Sequence, residues 1–238
     1  MSENKEPKHL KPDLSIIIAA YNETNTIEKV IRQSQKEAEK ITNDFEIIVC
    51  DDASTDNTLL TLSNLQKTIP RLKIIKHSKN LGLGPTLCDL FKASNGDFIQ
   101  TMPGDYQMRP SEIPKFYKAI QSADLVCGCR INRKDSFYRL IISKIYNLFI
   151  KMLFGVKISD IGTIKMIRRT ALETINPQSK TNFIEAELVI KTYLKGLKVT
   201  QVPIKYWPRK FGQASGGKFT VVFKIYIDLF KFLLFRMV

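Results

Sequence analysis

Three short polar clusters follow apolar runs in the first half of the chain: Tyr21-Asn22-Glu23, Asp51-Asp52 and Asp105-Tyr106-Gln107. Carboxylates so placed can accept hydrogen bonds from hydroxyl or N–H groups, or hold a hard cation through oxygen. Asp105 is the centre of the pattern. It sits on a Pro103-Gly104 turn within Asp97–Pro110, DFIQTMPGDYQMRP. An apolar strand that ends in Gly-Asp delivers one acid to the rim of a sheet, and in open α/β sheets ligands bind at the carboxyl ends of the strands. In the second half Asp160 stands alone among Lys157, Lys165, Arg168 and Arg169. It reads as an arginine's partner, as a local cap or as a functional acid.

The elements that must position these groups follow from periodicity. Leu14–Ala20, Phe45–Cys50 and Leu72–Lys76 are continuous apolar, β-branched runs, and Phe98–Thr101 is a shorter one. Such runs are strands buried on both faces. Helical stretches lie between them: one through about residue 40 capped by Thr24 or Asn25, one capped by Ser54 or Asp56, and one over Pro85–Ser94. Strand and helix alternating at this spacing make βαβ units and a parallel sheet, so the three acid clusters converge on one edge.

The second half reads as a strand over Ala123–Arg130 and a helix over Phe137–Phe154. On that helix Arg139, Ser143, Asn147 and Lys151 recur at i+4 on one side, with Leu, Ile, Met and Phe on the other. A loop at Ser159–Lys165 then enters a strand. A helix follows from Phe183, closed at Gly196, and then an edge strand over Lys198–Tyr206, since Pro203 cannot donate to a ladder. A basic loop runs from Trp207 to Lys218. Phe219–Val238 is apolar apart from a stripe of Thr220, Lys224, Asp228 and Lys231, with Arg236 off the stripe. Its charges are too many for a spanning helix, and it reads as lying in a bilayer interface, or else as a core or dimer helix.

Composition excludes several classes. The chain has 238 residues, 44% hydrophobic, enough for one large α/β domain or two small ones. Residues 1–13 are polar with no apolar h-region, hence a mobile tail and no signal peptide. Four cysteines at 50, 88, 127 and 129 lack disulfide or zinc spacing and read as buried hydrophobes in a reducing compartment. Two histidines, neither near the proposed site, argue against a catalytic triad or a zinc hydrolase. Gly82-x-Gly84 lacks the third glycine of a dinucleotide fingerprint, and no P-loop is present. Residues 1–128 carry net charge −1 and residues 129–238 carry +15. The second half therefore faces a polyanion. No nucleic-acid-binding pattern accompanies it, which leaves anionic lipid or a phosphorylated substrate.

The succession SIIIAAYNE, IIVCDDASTDNT, NLGLG and GDYQ, spanning residues 14–126, resembles the family 2 glycosyltransferases of the GT-A fold. That fold is a mostly parallel central sheet with helices on both faces, here with C-terminal amphipathic interface helices. The resemblance implies a donor nucleotide held by Ala19, Tyr21, Glu23, Cys50, Asp52, Pro103, Gly104 and Asp105. It also implies Mg2+ or Mn2+ on Asp105 and Gln107. The family's metal motif is Asp-x-Asp, and Pro103 replaces its first acid here, so weaker metal binding is expected.

In the second half the resemblance narrows to the polyprenyl-phosphate sugar transferases, the dolichol-phosphate mannose synthase group. The matching pieces are Gly-x-Arg130, Arg139-x3-Ser143, the Asp160 loop, which is one residue short and lacks the usual Gly-Phe, and Val-Pro-x5-Arg209-x2-Gly212. Arg130, Arg139, Ser143 and Arg209 would then clamp the acceptor's phosphate, with Asp105, Asp160 and Arg130 as the catalytic set. The lysine usual after the Gly-x-Ser of the final loop is absent in register, where Ser215 stands, and Lys218 would substitute for it. The implied reaction is inverting transfer from GDP-mannose or a UDP-sugar to a dolichyl or undecaprenyl monophosphate. It would occur on the cytoplasmic face of a membrane by a peripheral protein, with room for a membrane subunit. Residues 14–128 would form the nucleotide-sugar half, 129–218 the acceptor half and 219–238 the interface helix. The alternatives are a glycan hydroxyl acceptor, with Asp160 as base, or a catalytically weakened nucleotide-sugar-binding scaffold on a membrane.

Overall fold

The apolar runs at the front of the chain become strands because both their faces are covered: Leu14, Ile16, Ile17 and Ile18 are all fully buried. A computed structural model describes residues 12–133, 137–211 and 219–236. Strands β1 (Leu14–Ala20), β2 (Phe45–Asp51), β3 (Leu72–Lys76), β4 (Phe98–Pro103), β5 (Leu125–Ile131), β6 (Lys165–Arg168) and β7 (Val199–Lys205) form one sheet in the order β3-β2-β1-β4-β6-β5-β7. The first four are mutually parallel, and β5 and β7 are parallel to each other. Only β6 runs against its neighbours β4 and β5. Pro203 does mark an edge, since β7 is the last strand of the sheet.

Helices cover both faces. On one side α1 (Ile27–Glu39), α2 (Thr58–Gln66) and α4 (Ile113–Ile120) pack Ile27, Leu62 and Phe116 against the sheet. On the other, α3 (Leu83–Ala93), α5 (Phe137–Phe154), α6 (Arg169–Ile175), α7 (Ile184–Leu194) and α8 (Phe219–Arg236) contribute Leu90, Ile150, Leu172, Ile190 and Leu229. The short helices α4 and α6 escaped the sequence reading. Helix starts also differ from expectation. Thr26, not Thr24 or Asn25, precedes α1. Asn57 precedes α2, and Asp56 one residue earlier accepts from Thr58 N (2.9 Å), whereas Ser54 is spent on Asn22 N. Helix α3 begins at Leu83, two residues early, because Gly82 with φ 85° turns the chain directly into it.

Helix α5 buries Ile150 and Phe154 but also turns polar groups inward. Asn147 is buried and accepts a hydrogen bond from Ile161 N (3.2 Å), and Ser143 is half-buried, so the polar stripe faces the protein around these residues. Ile145, Leu148 and Met152 point outward at 56, 57 and 76% exposure. On α8, Asp228 leaves the expected solvent stripe and accepts from Thr181 Oγ1 (2.7 Å), while Phe232 packs edge-on against Phe154 and Phe183. The outer side of α8 shows Ile227, Phe230 and Leu234 beside exposed Lys224 and Lys231. Among the described residues no helix is long and apolar enough to cross a membrane. Cys50 and Cys127 are buried, and burial pushes both thiols up to about 12. Cys88 and Cys129, expected in the core, are only half-buried.

The turn that starts α3 is fixed from behind. A Cβ on Gly84 would collide with the Ser179 carbonyl oxygen and the Lys180 backbone. Because the obstacle is backbone, neither side yields cheaply, and Gly84→Ala should lower stability by about 1–3 kcal/mol, the usual cost of overpacking. Urea unfolding of the variant measures it; an unchanged midpoint would mean that the 179–181 segment moves freely.

Candidate active site

Three strands that end at the site edge pass within three residues into left-handed backbone: Asn22 (φ 56°) after β1, Ala53 (φ 59°) after β2 and Tyr106 (φ 59°) after β4. Non-glycine residues rarely hold such angles, so the turns need outside support. The loop after β2 supplies it. Ser54 Oγ accepts from Asn22 N (2.9 Å), Thr58 Oγ1 from Glu23 N (2.8 Å) and Asp56 Oδ2 from Thr24 N (3.3 Å). Asn22 Oδ1 answers by accepting from Thr55 N (2.7 Å). The polar run SerThrAspAsnThr is therefore a clasp that fixes where Glu23 stands.

Glu23 and Asp105 meet. Thr26 Oγ1 donates to the Gly104 carbonyl (2.7 Å) and lies 3.2 Å from Glu23 Oε2, joining the turns after β1 and β4. Gly104 keeps the approach open, since a Cβ there would sit 3.2 Å from Glu23 Cγ. One guanidinium bridges the two acids: Arg209 Nη2 is 2.5 Å from Glu23 Oε1 and Nη1 is 3.3 Å from Asp105 Oδ2. Burial pushes the Glu23 carboxyl above its ordinary value; Arg209 opposes this and the neighbouring Asp105 charge adds to it. Burial likewise raises Asp105, against the Gln107 N–H and Arg209.

Asp52 follows the end of β2. Its Oδ1 accepts from Leu81 N (2.8 Å) and faces His77 Nδ1 (2.7 Å), and its Oδ2 accepts from Gly82 N (2.8 Å). His77 Nε2 in turn lies 3.3 Å from Asp89 and 3.4 Å from the Cys50 sulfur. A histidine thus does stand in the site, contrary to the sequence reading, though at the Asp52 end. It follows β3 directly, the same strand-end position that marks the acids. Cys50 is fully buried, so its side chain offers a ligand no surface. Tyr21 is 43% exposed and Ala19 accepts from Gly104 N (3.1 Å). Pro103, half-buried, ends β4. Gln107 Nε2 donates to Tyr206 Oη (2.8 Å) and to the Trp207 carbonyl (3.2 Å), and Trp207 carries the Arg109 guanidinium 3.7 Å above its ring.

Across Tyr206 lies the basic side. Arg130 grips Asp160 bidentately, Nε to Oδ2 at 2.8 Å and Nη2 to Oδ1 at 2.7 Å, and its guanidinium is 5.2 Å from the Tyr206 ring centre. Burial alone would raise Asp160, but the Arg130 hydrogen bonds and charge outweigh it and hold the carboxyl below its ordinary value. That acid orients an arginine; a base needs the opposite environment. Arg133, missed in the sequence, donates from Nη1 to Ser143 Oγ (3.0 Å). Buried Lys165 fastens the Asp160 loop through the Ile161 and Thr163 carbonyls (2.8 Å each) and pairs with Glu185. Arg209, expected beside Arg130, is instead on the Glu23–Asp105 pair. The side chain of Arg139, and Gly212 and Lys218, lie outside the described residues.

The glycosyl transferase family 2 profile matches residues 15–175. The chain belongs to that family. Undecaprenyl-phosphate 4-deoxy-4-formamido-L-arabinose transferases of Salmonella choleraesuis and Salmonella paratyphi B are each 29% identical over 206 residues, covering 85% of this chain. The chain spans 62% of the length of those relatives. Among solved structures, glucosyl-3-phosphoglycerate synthase from Mycobacterium tuberculosis, in complex with Mn2+ and UDP-glucose, superposes with a TM-score of 0.72 at 18% identity over 94% of this chain and 79% of that one. S. aureus TarS 1-349 gives 0.56 at 15% identity over 80% and 58%. The fold is the GT-A fold, as the family motifs implied.

The Asp160 carboxyl makes a pH prediction for this family member. Its folded pKa is depressed, so its ionisation stabilises the fold above the unfolded value of about 4 and that contribution is lost as pH falls through the folded value. Asp160→Asn should be less stable than wild type at neutral pH and lose less on acidification below about pH 4. Parallel curves in urea unfolding across that range would mean that the ion pair contributes nothing.

Proposed function

We propose that the protein moves one sugar from a nucleotide diphosphate sugar to the phosphate of a polyprenyl monophosphate, with inversion. A phosphate oxygen attacks the anomeric carbon, the bond from that carbon to the diphosphate breaks, and the nucleoside diphosphate leaves. The arrangement of Arg130 carries the reading. It is held bidentately by Asp160 and separated from Asp105 by Tyr206 and Gln107, so an anion on one side faces the acids on the other. Arg133 and Ser143 extend that anion site, and Arg139 on the same helix is its expected further member. The names of the Salmonella relatives support a polyprenyl phosphate acceptor.

A phosphate monoester has its second pKa near about 6 and arrives as an anion, so it needs positioning more than deprotonation. Asp160, locked by Arg130, is spent as an orienter. The glycan hydroxyl alternative wants the same residue free as a base.

On the donor side, Tyr21 offers an exposed ring edge and Asp52 the acceptor for a base N–H. Three N–H donors already point at Asp52, out of about four acceptor positions on a carboxylate. The vacancy fits uracil, with one N–H, better than guanine, with N1–H and N2–H side by side. The UDP complex of the M. tuberculosis neighbour agrees. A divalent ion fits the chemistry here, because Asp105 is an oxygen donor whose neighbour is also an acid. Among the described residues no three His, Cys, Asp or Glu converge, so waters and diphosphate oxygens would complete its shell. When bound it would neutralise the leaving diphosphate. The outward apolar faces of α5 and α8, with Lys144, Lys151, Lys224 and Lys231 exposed among them, support peripheral attachment to an anionic leaflet.

Three measurements test the reading. Labelled UDP-sugars with undecaprenyl phosphate should give lipid-extractable product, and a hydroxyl acceptor none. Arg130→Lys, which keeps the charge and loses the fork, should cost about ten- to a hundred-fold in kcat/KM, the worth of charge-assisted hydrogen bonding. UDP should bind more tightly than GDP by about ten-fold or more in calorimetry, the cost of one unpaired N–H. Transfer to the hydroxyl alone would overturn the acceptor, and equal nucleotide affinities the base.

A further inference from the structure

The metal motif of this chain lacks its first acid, and Pro103 occupies that position. The acid nearest Asp105 in space comes from another strand. Glu23 and Asp105 each spend one oxygen on their own turn, Oε2 beside Thr26 and Oδ1 accepting from Gln107 N (3.0 Å). The other oxygen of each meets the same cation, the Arg209 guanidinium, Glu23 Oε1 at Nη2 and Asp105 Oδ2 at Nη1. The Gln107 amide is tied at its nitrogen to Tyr206 and the Trp207 carbonyl, which fixes its direction and leaves Oε1 as its one donor atom toward an ion.

We propose that Glu23 replaces the missing motif acid, so that Glu23 and Asp105 together form the divalent-cation site, and that Arg209 is its resident counter-ion, exchanged one for one with the metal. The inference rests on the donor-site reading above and concerns which residues hold the ion. Two carboxylates with substrate oxygens and waters are a normal complement for Mg2+ or Mn2+. Two cations do not fit between the same pair of oxygens. Entry of the metal therefore releases Arg209 to meet an incoming phosphate. Gly104 belongs to the device: a side chain there would press on Glu23 Cγ (3.2 Å) and separate the acids.

The test is Mn2+ binding followed by electron paramagnetic resonance of the free ion, with Mn2+ alone and with Mn2+ plus UDP. Wild type, Arg209→Gln, Arg209→Gln/Glu23→Gln and Arg209→Gln/Gln107→Ala are compared, each checked for folding by circular dichroism. Arg209→Gln should bind Mn2+ at least about ten-fold more tightly than wild type, because the competing cation is gone. Adding Glu23→Gln should reverse the gain; adding Gln107→Ala should keep most of it. No gain in Arg209→Gln, or a gain that survives Glu23→Gln, overturns the proposal. Sugar transfer is scored separately. Transfer to polyprenyl phosphate with a flat Glu23 arm sinks this proposal alone, and the expected Mn2+ pattern without transfer sinks the acceptor reading alone.

Discussion

Buried carboxylates side by side repel, and the site is arranged around that repulsion. Parallel strands end together, so acids placed after β1, β2 and β4 must crowd one edge. Two devices balance them. Asp52 is surrounded by N–H groups of the β3–α3 turn and by His77. Glu23 and Asp105 share a guanidinium. The left-handed turns at Asn22, Ala53 and Tyr106 are the backbone cost of bringing the acids this close, and the clasp of Ser54, Thr55, Asp56 and Thr58 holds it.

The second half solves the reverse problem. Arg130 and Arg133 gather positive charge, and Asp160 aligns Arg130 at the expense of part of its charge. An acid buried against a single arginine keeps its proton off and its partner still. Lys165, sealed beneath the loop and tied to Glu185, performs the same service one layer deeper. Tyr206 thus stands between two mixed clusters, Glu23–Asp105–Arg209 reached through Gln107 and the Arg130–Asp160 pair beneath its ring.

How much of this could be read in the sequence depended on how local the cause was. Continuous runs such as Leu14–Ala20 betray strands because burial on both faces admits only apolar residues. The shared edge followed from parallel order, which short βαβ spacing enforces. Other features have non-local causes. Arg209 lies 186 residues from Glu23, and no pattern around either names the other. The antiparallel direction of β6 depends on its partners β4 and β5. Ser54 and Asp56 read as helix caps because caps and inter-loop clasps use the same residue types; Asp56 accepts both from Thr58 N at the start of α2 and from Thr24 N across the loops. His77 follows β3 directly, but a lone histidine carries no pattern that names Asp52, 25 residues away, as its partner.

The lopsided charge is visible in the composition, but its purpose depends on which way α5 faces. Its polar residues Ser143 and Asn147 turn toward Arg133 and the Asp160 loop, and Ile145, Leu148 and Met152 turn away. One helix diameter, about 10–12 Å with side chains, therefore separates an anion site from an exposed apolar face. A molecule with a phosphate head and a hydrocarbon tail has both chemistries at that separation, whereas a glycan hydroxyl has neither. The orientation of a single helix is thus what fits the basic half to the proposed lipid phosphate acceptor.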